Sequence, residues 1–182
     1  SANGIHLTTV GSHSGVSAPS ALDPVGIRLT SVNSGIGQDS DAPLTTNAGL
    51  SLFAAGPVVL GNSANNVATI SADLSGGTGN LSFRNSENLT VGTITTNSGY
   101  IELQAPAKNL TINGTLNTGT GANSKIMISA GGITYNSGAV TDSEAIDFKS
   151  TDSEQGITLN AGVVGTSNTK MIDLVTDKLT LS

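Results

Sequence analysis

The chain has 182 residues, of which 11% are charged and 3% aromatic, with a net charge of −6 and no cysteine. Bulky side chains are too few for ordinary globular packing, and thiol chemistry and disulfides are excluded. Seven dispersed basic residues offer no stripe for a nucleic-acid backbone or an anionic membrane surface, and no apolar run is long enough for a helix to insert into a membrane.

Gly, Ser and Thr occur 23 times each and Asn 17 times. Such a bias would indicate disorder if the apolar residues were scattered. They recur instead in alternating pairs. An Ile-x-Leu phrase begins the series at Ile5-x-Leu7 and returns at Ile27-x-Leu29 and Leu50-x-Leu52. Between these, segments 11–24 and 33–48 carry Pro19, Pro24 and Pro43 and read as loops inserted between the coils. Residues 53–79, with Val58, Val59, Leu60, Val67 and Ile70, read as an irregular or inserted coil.

From Leu81 onward the pattern is regular. The Ile-x-Leu phrase continues at Leu81-x-Phe83, Ile101-x-Leu103, Ile126-x-Ile128, Ile146-x-Phe148 and Ile172-x-Leu174. Alternating with it is a second phrase: Leu89-Thr90-Val91-Gly92, Leu110-Thr111-Ile112-Asn113, Ile133-Thr134-Tyr135-Asn136, Ile157-Thr158-Leu159-Asn160 and Leu179-Thr180-Leu181. From one threonine to the next the steps are 21, 23, 24 and 22 residues, a period that marks a stacked solenoid. A third strand follows the corner at Ile94, Leu116, Val140 and Val164.

Two-residue alternation sends the apolar pair to one face and the residue between to the other. Helix is disfavoured by the Gly, Thr, Ser and Asn content. The expectation is one all-β domain over 1–182, a right-handed parallel β-helix of about seven to eight coils with 20–26 residues and three short strands per coil. At roughly 4.8 Å per coil the rod would be about 35–40 Å long.

Thr90, Thr111, Thr134, Thr158 and Thr180 would form an outward ladder. Regular hydroxyls can bind ice or a crystalline surface, but Thr is also β-branched and pairs well with itself on adjacent strands, and the structural explanation is preferred. Gly92, Asn113, Asn136 and Asn160 would form a corner ladder, both because Asn and Gly tolerate left-handed backbone and because Asn amides can bond from coil to coil. The glycosylation-like triplets at Asn80, Asn88, Asn109 and Asn113 follow from this repeat.

The outward residues assigned to the Ile-x-Leu column are His6, Arg28, Ser51, Ser82, Glu102, Met127, Asp147 and Asp173. Acids on one column suggest a polysaccharide-active groove, yet no base is placed among them in this reading. Asp142, Glu144, Asp152 and Glu154 are candidate calcium ligands, although their spacing fits no calcium loop and a solvated acidic turn is preferred, so no cofactor is expected. His6 and His13 are the only histidines, and no nucleophile elbow or P-loop is present. No catalysis is expected.

Asn109-Leu110-Thr111-Ile112-Asn113-Gly114 and Gly131-Gly132-Ile133-Thr134-Tyr135-Asn136-Ser137-Gly138 resemble the repeats of filamentous-haemagglutinin-type bacterial exoproteins, most clearly over 80–182. That resemblance implies a secreted or cell-surface adhesin, a stiff β-helical fibre used in attachment and biofilm cohesion. The chain closes in mid-phrase at Leu179-Thr180-Leu181-Ser182. A segment of a longer solenoid, or a subunit stacked end to end, is therefore expected. The competing expectations are a polysaccharide lyase or hydrolase on the same fold and an ice- or surface-binding protein.

Overall fold

The computed structural model describes residues 5–7, 16–17, 26–141, 144–160, 163–165 and 169–182. Among them every regular element is a strand, and all the pairings are parallel. The chain winds as a β-solenoid of about seven turns.

The first coil comprises Ile5–Leu7 (β1), Val16–Ser17 (β2) and Ile27–Ser31 (β3). Ile36–Gln38 (β4) and Leu44–Ala54 (β5) make the second, Val58–Leu60 (β6) and Asn66–Leu74 (β7) the third, and Leu81–Arg84 (β8) and Leu89–Thr96 (β9) the fourth. Tyr100–Ile112 (β10) and Leu116–Asn117 (β11) form the fifth, and Lys125–Tyr135 (β12) and Ala139–Thr141 (β13) the sixth. Ala145–Ser150 (β14), Gly156–Leu159 (β15) and Val163–Val164 (β16) complete the seventh, and Met171–Val175 (β17) and Leu179–Leu181 (β18) begin another.

Three columns result, each with one residue of every coil above its counterpart in the next. In the first, Ile36, Val58, Leu81, Ile101, Ile126, Ile146 and Ile172 are stacked in register. The second stacks Thr69, Thr90, Thr111, Thr134, Thr158 and Thr180. The third runs through Leu52, Ala72, Ile94, Leu116 and Val140.

This registry corrects the sequence reading in two places. Ile27-x-Leu29 and Leu50-x-Leu52 do not belong to the first column, because β3 pairs with the second half of β5 and that half of β5 pairs with β7. Their places in the first column are taken by Ile36 and Val58. The stretch 53–79 is accordingly no insertion, since it holds β6 and β7 paired with both neighbouring coils, although the ladders of β7 with β5 and with β9 each carry a register shift. Nor is 33–48 a loop: it contains β4 and the start of β5. Of 11–24, only Val16–Ser17 falls within the described residues, as a strand. The error has a simple cause. Alternation is a local signal, identical in all three columns, so it shows that a strand exists without showing which side of the coil it occupies.

The inward residues form one continuous core, with Leu81, Ile101, Ile126 and Ile146 all at 0% exposure. Each such side chain contributes roughly 1.5–3 kcal/mol through burial. Tyr135 takes an aliphatic place in the second column, and its hydroxyl donates to the Gly138 carbonyl at 2.7 Å. Corners are tight. A Cβ on Gly114 would lie 2.3 Å from the Gly92 carbonyl carbon of the coil below, so only glycine permits that approach.

Candidate functional site

The outer faces carry whatever chemistry the rod has, and their rows follow directly from the register. Thr90, Thr111, Thr134, Thr158 and Thr180 do form an unbroken outward ladder. Thr69 extends it by one coil, a member the sequence analysis missed because the phrase around it reads Ala-Thr-Ile-Ser. Its flanking residues Leu89, Val91, Leu110, Ile112 and Ile133 point inward and are buried. The ladder is one hydroxyl wide.

At the adjoining corner the Asn136 amide donates to Asn113 Oδ1 at 3.0 Å, and Asn160 donates to Asn136 Oδ1 at 2.8 Å. The other half of the expected rationale does not hold. Among the described residues the non-glycine positions with positive φ are Ser98 and Ala107, so these asparagines have ordinary backbone. Gly92 occupies the same row below Asn113, and a Cβ there would meet Ser71 Oγ at 2.5 Å. Two glycosylation-like asparagines are also used structurally: Asn80 Oδ1 accepts the Tyr100 N–H at 3.0 Å, and Asn88 Oδ1 accepts the Asn109 N–H at 3.0 Å.

Buried asparagines were not anticipated. Asn65 and Asn85 are both at 0% exposure. Asn65 Oδ1 accepts the Leu44 N–H at 2.8 Å, while its amide donates to the Leu60 and Arg84 carbonyls, each at 3.1 Å. These side chains replace ladder bonds where strands turn a corner. In the sequence they look like any other turn asparagine.

On the first column Ser82, Glu102, Met127, Asp147 and Asp173 are in register, as expected. Arg28 and Ser51 lie instead in a row that continues to Ser71, between the second and third columns. The second outward row of the first column holds Arg84, Gln104, Ser129, Lys149 and Val175. A base therefore does stand among the acids, contrary to the sequence reading, since Lys149 lies two residues along the strand from Asp147. Glu102 accepts from Ser82 Oγ and from the Gln104 amide, both at 2.8 Å. Asp147 has its carboxyl pushed above the ordinary aspartate value, chiefly by desolvation and then by the Asp173 charge, with Lys149 acting in the opposite direction. The hollow between Glu102, Met127, Asp147 and Lys149 holds about 90 Å³.

The calcium candidates among the described residues, Glu144, Asp152 and Glu154, are not gathered around a common point. Glu144 is bound by Lys170, whose Nζ lies 2.7 Å from Oε1 and 2.9 Å from Oε2. Asp152 Oδ1 accepts the Glu154 N–H at 2.8 Å and so closes a turn. Glu154 is exposed, and Asp142, like His13, lies outside the described residues. Among the described residues no group of three or more His, Cys, Asp or Glu side chains is placed to hold a metal ion.

The third column carries an outward phenylalanine, which with Tyr100 at the start of β10 makes two outward aromatic rings among the described residues. Thr30, Phe53, Asp73, Thr95, Asn117 and Thr141 form its outer row. Phe53 is 39% exposed, whereas Phe83 and Phe148 are buried in the core. The Arg28 guanidinium lies over the Phe53 ring at 4.7 Å from its centroid. No protein-family model, curated protein or solved structure matches this chain.

Proposed function

We propose that this chain is a structural and adhesive segment of an extracellular or cell-surface bacterial β-helix protein of the filamentous-haemagglutinin type. The observation that supports the reading most is the uninterrupted registry of the three columns, which makes a rod stiffened along its axis by every strand at once. Outward Thr, Ser, Asn and Asp would supply weak contacts, individually poor and collectively strong, to glycans or to neighbouring fibres in a biofilm.

End-to-end stacking of coils or subunits is part of the same reading. Ile172, Leu179 and Leu181 continue buried columns but are 47%, 48% and 70% exposed. One further β-coil, from a longer chain or from a second subunit, would cover them.

This reading is non-catalytic. The polysaccharide-active alternative draws on Lys149 beside Asp147, but their hollow of about 90 Å³ is room for about three waters at ~30 Å³ each. The single-file threonine ladder gives the ice-binding alternative less support, since a flat face needs paired rows.

Multivalent adhesion has a distinctive density dependence. Beads carrying the purified chain at increasing density should be retained on glycan-coated and biofilm-coated surfaces more steeply than in proportion to density. Retention equal to that of bare beads at every density would overturn the adhesive reading.

A further inference from the structure

We propose that the outer face of the third column around Phe53 and Asp73 is a binding site for a neutral pyranose unit of a glycan. The inference rests on the adhesive reading above and names the place and the chemistry of one specific contact.

Phe53 is outward by strand alternation, because Leu50, Leu52 and Ala54 of the same strand point into the core. All the other residues of its row are polar. Leaving a ring in that row forfeits burial energy without any gain to the core. The Arg28 guanidinium covers one ring face and so fixes the ring's orientation. Part of the ring remains exposed to the hollows beside it.

Two hollows adjoin the ring, of about 290 Å³ and about 360 Å³. Phe53 and Asp73 line both, so they form the ridge between them. Val32 borders the first hollow and is 75% exposed, and Thr93 and Thr95 border the second. Each hollow suits a small ring system more than an extended peptide.

Asp73 is the register neighbour of Phe53 on the next coil. Its Oδ1 accepts both the Ser75 N–H at 3.1 Å and the Ser75 hydroxyl at 2.6 Å, which holds the carboxylate in one orientation. Among the described residues Oδ2 takes no protein hydrogen bond, and it is available to a ligand donor.

These parts match the two kinds of surface on a pyranose. Its axial C–H groups are weakly positive and pack on the negative face of an aromatic ring. Its hydroxyls donate to a fixed carboxylate in charge-assisted bonds, and adjacent threonines add neutral ones. Arg28 and Asp73 cancel in net charge, which favours a neutral sugar over a sulfated or carboxylated one.

Saturation-transfer NMR with lactose, cellobiose and chitobiose tests the site. The native chain should transfer magnetisation to the C–H face of at least one of the three. Phe53→Ala should weaken that binding by about tenfold or more, and Asp73→Asn by about fivefold or more. Both side chains are on the surface, so melting temperatures within about 3 °C of the native value should accompany the loss. No transfer to any of the three disaccharides would overturn the proposal, as would equal transfer in Phe53→Ala or tighter binding of a sulfated heparin disaccharide. Bead retention that persists on surfaces lacking sugar, with no disaccharide transfer, would remove this site and leave the adhesive reading intact.

Discussion

Asparagine does two different jobs in this rod, and burial separates them. Asn85 is sealed in the core side of a corner, where its Oδ1 accepts the Val67 N–H at 3.0 Å and its amide donates to the Val67 and Glu87 carbonyls at 3.1 and 3.0 Å. Asn85→Ala would strand those backbone groups away from water, costing about 3 kcal/mol, and should lower the melting temperature by roughly 6–12 °C. Asn136 bonds in the exposed corner ladder, where water can replace the lost partners. Asn136→Ala should cost less than about 1 kcal/mol. Thermal denaturation of the two variants side by side checks the distinction, and equal losses would refute it. Asp147 gives a prediction of opposite sign. Its carboxyl is raised by desolvation, then by Asp173, so the native state binds the proton more tightly than the unfolded chain does. Its penalty is fully present above the folded pKa and disappears as pH falls toward the unfolded value. Asp147→Asn should therefore raise the melting temperature by about 1 °C at pH 7, and that gain should vanish near pH 3.

Strands were legible where the repeat is regular and ambiguous where it is not. From Leu81 onward the phrases carry two apolar residues each, and the observed register follows the predicted one. In the second coil the first-column phrase is Ile36-Gly37-Gln38, which keeps only one inward apolar residue. Leu50-x-Leu52, which bridges the second and third columns, looks more like the repeat than the true member does, so the pattern alone reads this coil out of phase. The partners of Phe53 were hidden for the same reason, because Arg28, Thr30 and Asp73 become its neighbours only once β3, β5 and β7 are stacked together. Corner glycines, by contrast, were visible as residues but not as contacts. Gly114→Ala would force a Cβ to within 2.3 Å of Gly92 and 2.5 Å of the Thr93 nitrogen. Both are backbone atoms of the adjacent coil and cannot swing away. Destabilisation of about 2 kcal/mol or more is expected, read as a lower urea midpoint. A midpoint unchanged within error would mean that the coils separate more easily at their corners than this packing allows.

Stability in a solenoid is shared between neighbours, so the least covered coil governs how the whole rod behaves. Among the described residues that coil is the one made by β17 and β18. Ile172 sits above Ile146 and Leu179 above Ile157 in the same columns. Ile146 and Ile157 are at 0% and 1% exposure, while Ile172 and Leu179 remain 47% and 48% exposed. The difference is the covering coil alone. Leu181 is 70% exposed on the same edge, and the strands there also present unpaired backbone donors and acceptors. Apolar side chains and a backbone ladder facing the same way make a surface suited to another β-coil. Sedimentation velocity should accordingly show larger species as protein concentration rises. Added salt should not dissolve them, because screening acts on exposed charges and leaves apolar contacts in place. Leu181→Glu, at the most exposed of these positions, sets a charge on the edge and should return the chain to a single small species, with a modest fall in melting temperature because Leu181 stacks on Leu159. If the native chain stays a single small species over the whole concentration range, the edge is self-sufficient and end-to-end stacking of this segment is wrong.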